Sequence, residues 1–313
     1  MPDGLPLISI IIVNYDTPDL TTQCLQSLQQ LVHEGFEYNI LVVDNGSQKP
    51  YKIPKKISDF KKTQAREIKL IRTEANIGFT GGNNLGMSHA VKYYNSDYFL
   101  LLNSDTIVEP DFLQKLFLCI QGERRGLATS KIYFEKGCEF YPESYKKDEL
   151  GKVIWFAGGT IDWPNLMAFH RGVDEVDYGQ FDHLTKTDFA TGCCMLIKRE
   201  VIEKIGILDK RYFLYLEDVD FSVRAVKKGY SIVFCPESVV YHKNAGSTGG
   251  SGSPIHFYYQ TRNRLLFFLK YGRLRSKITA FRFWLRLMFS KNSVERKVAF
   301  DYLLKRYGKQ PVV

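Results

Sequence analysis

The chain has 313 residues, 44% of them hydrophobic and 25% charged, and a formal net charge of +9. That is globular composition, enough for one large domain with an appendage or two small domains. The cysteines (Cys24, Cys119, Cys138, Cys193, Cys194 and Cys235) form no Cys-x-x-Cys pair, no basic leader precedes the first apolar run, and no uncharged apolar stretch reaches about 18 residues; these features argue against a disulfide framework, a zinc site, a secretory signal and a membrane span.

The thiols are therefore expected to be buried and reduced, as in a cytosolic protein. The charge is uneven. From His256 onward there are 14 Lys/Arg and 2 Asp/Glu, a balance of +12, whereas the first 255 residues carry 29 and 32, a balance of −3. A basic tail of this kind suggests an anionic partner.

In chain order, Leu7 to Asn14 reads as a buried strand. Thr17 with Pro18 is an N-cap and N1 pair, and Leu20, Cys24, Leu28 and Leu31 follow at helical spacing. Tyr38 to Val43 is a second strand ending in Asp44-Asn45-Gly46-Ser47, which completes a βαβ unit. Residues 48–67 are a polar, lysine-rich loop with a short helix, and Ile68 to Ile71 is a short strand. Asn76 to Asn84 is a glycine-rich turn before a helix running to about Tyr94. Tyr98 to Leu102 is an unbroken apolar run, hence a strand buried on both faces, and Pro110 to Gln121 is a helix. Tyr133 to Gly151 reads as a loop, Val153 to Arg171 as a hairpin, Phe189 to Lys198 as a strand and Arg199 to Ile205 as a helix. An aromatic run from Tyr212 leads into a helix from Glu217 to about Lys228, then strands at Ser231–Cys235 and Val239–His242. Ala245 to Ser253 is glycine- and serine-rich and expected to be mobile. Two or three basic, aromatic helices follow Pro254.

Five places carry candidate chemistry. Asn103-Ser104-Asp105 lies past the carboxyl end of the central strand, where ligands bind in open α/β sheets. On a continued strand the side chains of Asn103 and Asp105 point the same way, and an amide with a carboxylate suits Mg²⁺ or Mn²⁺ shared with phosphate oxygens. Asp44, at another strand end, suits ribose hydroxyls or a base N–H, although Asp-Asn-Gly-Ser is also an ordinary turn. The glycines from Gly78 to Gly86 allow close approach to a phosphate at a helix start, but form neither a dinucleotide fingerprint nor a Walker loop. Glu217-Asp218-x-Asp220 places three carboxylates in one helical turn, more than the helix dipole needs, and one could serve as general base. His242, before the Gly/Ser segment, suits a metal ligand beside a lid.

Taken together, Ile-Ile-Val-Asn-Tyr, Val-Val-Asp-Asn-Gly-Ser, Asn-Ile-Gly-Phe-x-Gly-Gly-Asn-Asn, Leu-Leu-Asn-Ser-Asp, Thr-Gly-Cys-Cys-Met-Leu-Ile, Tyr-Leu-Glu-Asp-Val-Asp and Tyr-His, in that order over about residues 7–270, resemble family 2 glycosyltransferases, most closely the rhamnosyltransferase-like branch. The resemblance implies a GT-A fold: a doubly wound mixed α/β sheet with a Rossmann-like nucleotide-binding half over about 1–125, an acceptor and catalytic half over about 126–255, and a C-terminal helical extension over 256–313. It implies a UDP- or dTDP-sugar donor, dTDP-rhamnose first, and a saccharide acceptor, lipid-linked, in surface polysaccharide synthesis at the inner face of the cell membrane. Val13, Asn14, Tyr15 and Asp44 match the base and ribose segment, and Asn76, Gly78 and Asn83 the loop beside the donor. Asn103-Ser104-Asp105 matches the Asp-x-Asp motif, with Asp105 and His242 on the metal, Mn²⁺ or Mg²⁺; Asn at the first position leaves one charge fewer there. Asp218 matches the catalytic base with Glu217 beside it. Thr191 and Gly192 match a segment near the donor sugar and acceptor, and Arg262 a residue facing diphosphate or acceptor. Inversion by a single displacement follows, with oxocarbenium character at the anomeric carbon.

The basic, aromatic helices are read as a peripheral membrane contact on anionic lipid, against plain packing on the catalytic domain. A nucleic-acid-binding protein shares the tail's composition but leaves Asp44, Asp105 and Glu217-Asp218 unexplained, so no nucleic acid is expected. An inactive sugar-nucleotide binder ranks lower still.

Overall fold

The computed structural model describes residues 4–58, 66–244 and 252–312. In chain order the elements are β1 Leu7–Asn14, α1 Pro18–Leu28, β2 Glu37–Asp44, α2 Lys55–Ser58, β3 Ile68–Arg72, α3 Gly78–His89, β4 Tyr98–Asn103, β5 Thr106–Val108, α4 Phe112–Ile120, β6 Arg125–Phe134, β7 Ile154–Phe156, β8 Gly159–Asp162, β9 Met167–His170, β10 Thr185–Lys186, β11 Cys194–Lys198, α5 Arg199–Ile205, α6 Glu217–Lys227, β12 Ser231–His242, α7 Pro254–Tyr271, α8 Leu274–Met288 and α9 Ser293–Leu303.

The main sheet has the strand order β10-β12-β6-β11-β4-β1-β2-β3. β1, β2, β3 and β4 run parallel, and β11 runs antiparallel to both β4 and β6. The apolar runs of β1 and β4 are covered on both sides. Ile8, Ile10 and Ile12 pack in one cluster with Leu25 and Leu28 of α1 and Leu116 of α4. Ile11, on the opposite pleat, packs with Met87 of α3 and Phe221 of α6. That two-sided burial is why these strands read as continuous rather than alternating apolar runs.

The glycines after Asn76 lie inside α3 rather than in a turn before it. Their work is close packing on the sheet. A Cβ at Gly82 would stand 2.8 Å from Val13 Cγ1, and one at Gly86 2.4 Å from Ile11 Cγ2. α1 starts where expected, with Pro18 at N1, but Thr17 makes no capping bond to the helix; its hydroxyl donates to Asn14 Oδ1 instead, at 3.4 Å.

β6 stands at Arg125–Phe134; the sequence reading assigned no element to residues 122–132 and began its loop at Tyr133. β6 templates β12, which runs parallel to it as one long strand. The pairing holds from Ile232 to Cys235 and again from Val239 to His242, while Pro236, Glu237 and Ser238 have no opposite number on β6. This bulge accommodates a proline that the ladder could not. The far end of β12 then pairs antiparallel with β5, setting His242 opposite Thr106.

Cys119 of α4 and Cys235 of β12 form a disulfide with their Cα atoms 6.3 Å apart. The expectation of six reduced thiols is corrected there, because α4 lies directly against β12. Cys24, Cys193 and Cys194 are free and buried, and Cys138 is free and half-buried. α7, α8 and α9 pack on one another after β12. The Gly/Ser stretch expected to be mobile falls largely in 245–251, outside the described residues. No helix among the described residues is long and apolar enough to cross a membrane.

Candidate active site

β4 ends at Asn103, and the chain turns through Ser104 and Asp105 into β5. The turn is fixed from three sides. Cys193 O accepts from Asn103 N at 2.9 Å, Asp105 O accepts from Lys243 N at 2.9 Å, and Thr106 Oγ1 donates to Asn103 O at 2.7 Å. The strand therefore does not continue, and the Asn103 and Asp105 side chains converge through the turn. Both reach His242: its Nε2 lies 3.1 Å from Asp105 Oδ1 and 3.5 Å from Asn103 Nδ2. Trp155 packs edge-on against the His242 ring at 4.5 Å. Two donors about 2.1 Å from one octahedral ion stand about 3 Å apart, so the Asp105–His242 spacing fits a shared divalent cation. Among the described residues no three His, Cys, Asp or Glu side chains surround a common point. The remaining donors to such an ion would have to be amide, water or phosphate oxygens.

The second cluster opens α6. Three residues before it, Phe213, Tyr215 and Leu216, have positive φ of 43°, 70° and 67°, each costing about 1–3 kcal/mol. Asn263 of α7 holds this run, donating through Nδ2 to Leu214 O at 2.7 Å and Tyr215 O at 2.8 Å. Asp218 then accepts from Gly192 N at 2.9 Å and Val219 N at 2.8 Å. A Cβ on Gly192 would press on the Phe79 ring at 2.9 Å, so a larger residue there would have to displace that ring to keep its N–H on Asp218. Burial raises the Asp218 carboxyl pKa, against the pull of those two N–H groups. Glu217 is 4% exposed, and burial first, then the neighbouring Asp218, pushes its carboxyl well above the usual range. Asp220 turns away from the cluster. It accepts from Arg224 Nε, Lys270 Nζ, Tyr212 OH and Tyr271 OH, tying α6 to α7.

Both clusters open into one cavity of about 590 Å³. Val13, Tyr15, Asn76, Gly78, Asn103, Ser104, Asp105, Thr191, Gly192, Glu217, Asp218 and His242 line it. Asn14, Asp44, Asn83 and Arg262 do not. Asn14 and Asp44 are fully buried and bonded to each other at 3.1 Å. Asp44 also accepts from Tyr51 N and from Arg72 Nη1 at 2.5 Å. Burial works to raise its carboxyl pKa, but the hydrogen bonds from Ser47, Tyr51, Asn14 and Arg72 outweigh it and hold the group below the usual range. Asn83 Nδ2 donates to Phe79 O at 3.0 Å, inside α3. Arg262, expected at a ligand, is fully buried; it donates to Gly308 O at 2.8 Å, Arg211 O at 3.1 Å and Asn263 Oδ1 at 2.9 and 3.0 Å.

Sequence reasoning missed an aromatic wall of Trp155, His170, Phe189 and Tyr259. Burial lowers the His170 pKa to about 4, so its ring is neutral, and its Nδ1 is 3.1 Å from Trp155 O. It also missed the segment around Lys309 and Gln310, which follows the last helix and returns to the cavity. No local pattern marks these residues; only the three-dimensional course of the chain gathers them.

The family model for glycosyl transferase family 2 matches residues 9–206. The low-salt glycan biosynthesis hexosyltransferase Agl10 of Haloferax volcanii is 25% identical over 260 residues, covering 83% of this chain and 74% of that one. The N-acetylglucosaminyl-diphospho-decaprenol L-rhamnosyltransferase of Mycobacterium tuberculosis is 24% identical over 262 residues, covering 80% and 79%. The crystal structure of GalNAc-T7 with UDP, GalNAc and Mn²⁺ superposes with a TM-score of 0.65 at 17% identity, over 96% of this chain; this chain spans only 55% of that one. With well over half its length under the family model, and with the mixed α/β sheet and C-terminal helices described above, the chain belongs to glycosyl transferase family 2 and is a glycosyltransferase of GT-A fold.

Proposed function

We propose that the chain transfers a sugar from a nucleoside-diphosphate donor, dTDP-rhamnose first, to a saccharide acceptor carried on a lipid, with inversion and with Mn²⁺ or Mg²⁺ at Asp105. One observation carries this reading: Asp105 and His242 at ion-sharing distance open into the same cavity as Asp218, a carboxylate fixed by the Gly192 N–H. The M. tuberculosis relative, an L-rhamnosyltransferase named for an N-acetylglucosaminyl-diphospho-decaprenol acceptor, supports the choice of donor and acceptor. The UDP and Mn²⁺ held by the GalNAc-T7 structure support a diphosphate with a divalent cation.

Asp105 and His242, with Asn103 beside them, would hold the ion, and a divalent cation there neutralises charge on a diphosphate leaving group. Val13, Tyr15 and Asn76 form the wall for the nucleoside, supported from behind by the Asn14–Asp44 pair. Asp218 takes the proton of the acceptor hydroxyl as that oxygen attacks the anomeric carbon. A pKa raised by burial makes it a better base than an exposed carboxylate. Glu217, kept protonated by burial and by Asp218, leaves Asp218 to carry the charge.

A lipid-linked acceptor calls for membrane contact, and α8 supports it. Leu274 (75% exposed), Ile278, Phe281 and, just past the helix, Phe289 (83% exposed) follow one face of α8. Arg273, Arg275, Lys277, Arg282 and Arg286 flank them, and no acidic residue occurs from 272 to 294. Apolar side chains rimmed by cations suit an anionic lipid surface, here the inner face of the cell membrane.

The test is calorimetric titration with UDP and dTDP, with and without Mn²⁺, on the unmodified chain and on Asp105→Ala. Metal-dependent binding that disappears in Asp105→Ala is expected, and the tighter nucleotide names the donor base. Binding of neither nucleotide under any condition overturns the reading.

A further inference from the structure

The cavity is electrostatically lopsided. The ionised carboxylates of Asp105 and Asp218 line it, and carboxylates in a cleft repel phosphate. Among the described residues, Lys309 is the sole lysine or arginine that lines it. It comes from the segment after α9, far from every motif noted above. That segment is pinned on both sides of Lys309. Gly308 N donates to Arg211 O at 3.0 Å, and Gly308 O accepts from the buried Arg262 at 2.8 Å. Gln310 N donates to Tyr259 OH at 2.9 Å, and Tyr259 OH donates to Gln310 O at 3.2 Å. The backbone of Lys309 is therefore fixed, while the residue is exposed, lines the cavity and has no acidic partner among the described residues. Arg262 joins this anchor to the catalytic run, because its partner Asn263 holds the Leu214 and Tyr215 carbonyls.

We propose that Lys309 is a phosphate-recognition residue of the active site, presented by the pinned Gly308–Gln310 segment to a diphosphate group. Resting on the transferase reading, this gives the diphosphate two sources: the nucleotide donor, or the linkage between an acceptor sugar and its lipid. An ammonium on a phosphate is a charge-assisted contact. It adds positive charge opposite a diphosphate whose charge a single divalent cation, shared with Asp105, neutralises only in part.

The test uses the full chain and Lys309→Ala and Lys309→Arg, titrated in Mn²⁺ with UDP, dTDP, UMP, farnesyl diphosphate and farnesol. If the group is the donor's, Lys309→Ala loses about ten-fold in affinity for UDP and little for UMP. If it is the acceptor's, the same loss falls on farnesyl diphosphate and spares farnesol. Lys309→Arg restores binding to within about two-fold in either case. Equal binding of UDP and of farnesyl diphosphate by Lys309→Ala and the unmodified chain overturns the proposal while leaving the transferase reading intact. Absence of any UDP, dTDP or farnesyl diphosphate binding by the unmodified chain overturns both. Melting curves of the three proteins are expected to coincide, since the Lys309 side chain holds no part of the fold together.

Discussion

Replacing Asn263 by alanine should loosen the catalytic run without touching a ligand. The amide is fully buried and serves three groups: it donates to Leu214 O and Tyr215 O and accepts from Arg262. A buried polar group stripped of its partner costs about 1–3 kcal/mol. Leu214 and Tyr215 line the cavity, so water reaches their carbonyls and the lower end of that range applies to each. The sum is about 3 kcal/mol, or a fall in Tm on the order of 5 °C for a chain of this size. Without those bonds the left-handed Tyr215 and Leu216 relax, Asp218 shifts off Gly192 N, and kcat falls by about ten- to a hundred-fold. Asn263→Asp is the discriminating variant. It keeps the size and strengthens the bond to Arg262, but it turns a carboxylate toward two carbonyl oxygens. It should therefore damage both Tm and kcat at least as much as alanine. Thermal melts and single-turnover transfer assays check this, and an Asn263→Asp protein as stable and active as the unmodified chain would refute the reasoning.

Glu217→Gln should raise Tm at pH 8 but not at pH 4. The folded-state pKa of Glu217 is raised above its ordinary value of 4.5, so the stability it contributes is complete below that value and lost as pH climbs through the folded pKa; melts across this range read the crossover. Asp218→Asn should cost about 10²- to 10⁴-fold in transfer rate with nucleotide affinity kept within a few-fold, and in the unmodified chain the acidic limb of the pH–rate profile should fall above pH 3.8, the ordinary aspartate value. Gly78→Ala forces a side chain onto a residue at φ +81°, with its Cβ 2.4 Å from Phe213 O; both Tm and UDP affinity should drop, read by melting and calorimetry. The pair Ile278→Glu and Phe281→Glu, both on exposed α8 positions, should abolish co-sedimentation with phosphatidylglycerol vesicles while leaving Tm unchanged.

The parallel strands and their helices were legible because each depends on local patterning. β1 and β4 are long apolar runs, and α5 begins and ends where its sequence signals place it. β6 was harder to see. Its residues Arg125 to Phe134 include Thr129, Ser130 and Lys131, all buried. Their polarity is explained only by partners from distant strands and loops, such as Asp177 on Lys131 Nζ at 2.7 Å. The same asymmetry governs the site. Motifs pointed to Asp105, His242 and Asp218, which the structure gathers at one cavity, because carboxylates and a histidine at strand and helix ends stand out in sequence. Arg262 was placed at a ligand by the family resemblance, yet three-dimensional packing gives its charge to backbone carbonyls. Trp155, His170 and Lys309 could not be found, since nothing near them in sequence distinguishes an aromatic or a lysine that faces the cavity from one that faces solvent.

The bulge in β12 turns the location of His242 into a matter of counting. Side chains on a strand alternate faces, so a shift of one residue exchanges the two sides. Pro236, Glu237 and Ser238 set the phase in which Val239–His242 re-enters the ladder beside β6 and meets β5. A deletion or insertion of a single residue among these three would leave Asp105, His242 and Asp218 all present in the sequence. It would nonetheless turn the imidazole to the far side of the sheet and bring Tyr241, on insertion, or Lys243, on deletion, round in its place. A chain of this family can therefore lose its histidine–aspartate pairing by frame alone, with no residue of the site substituted.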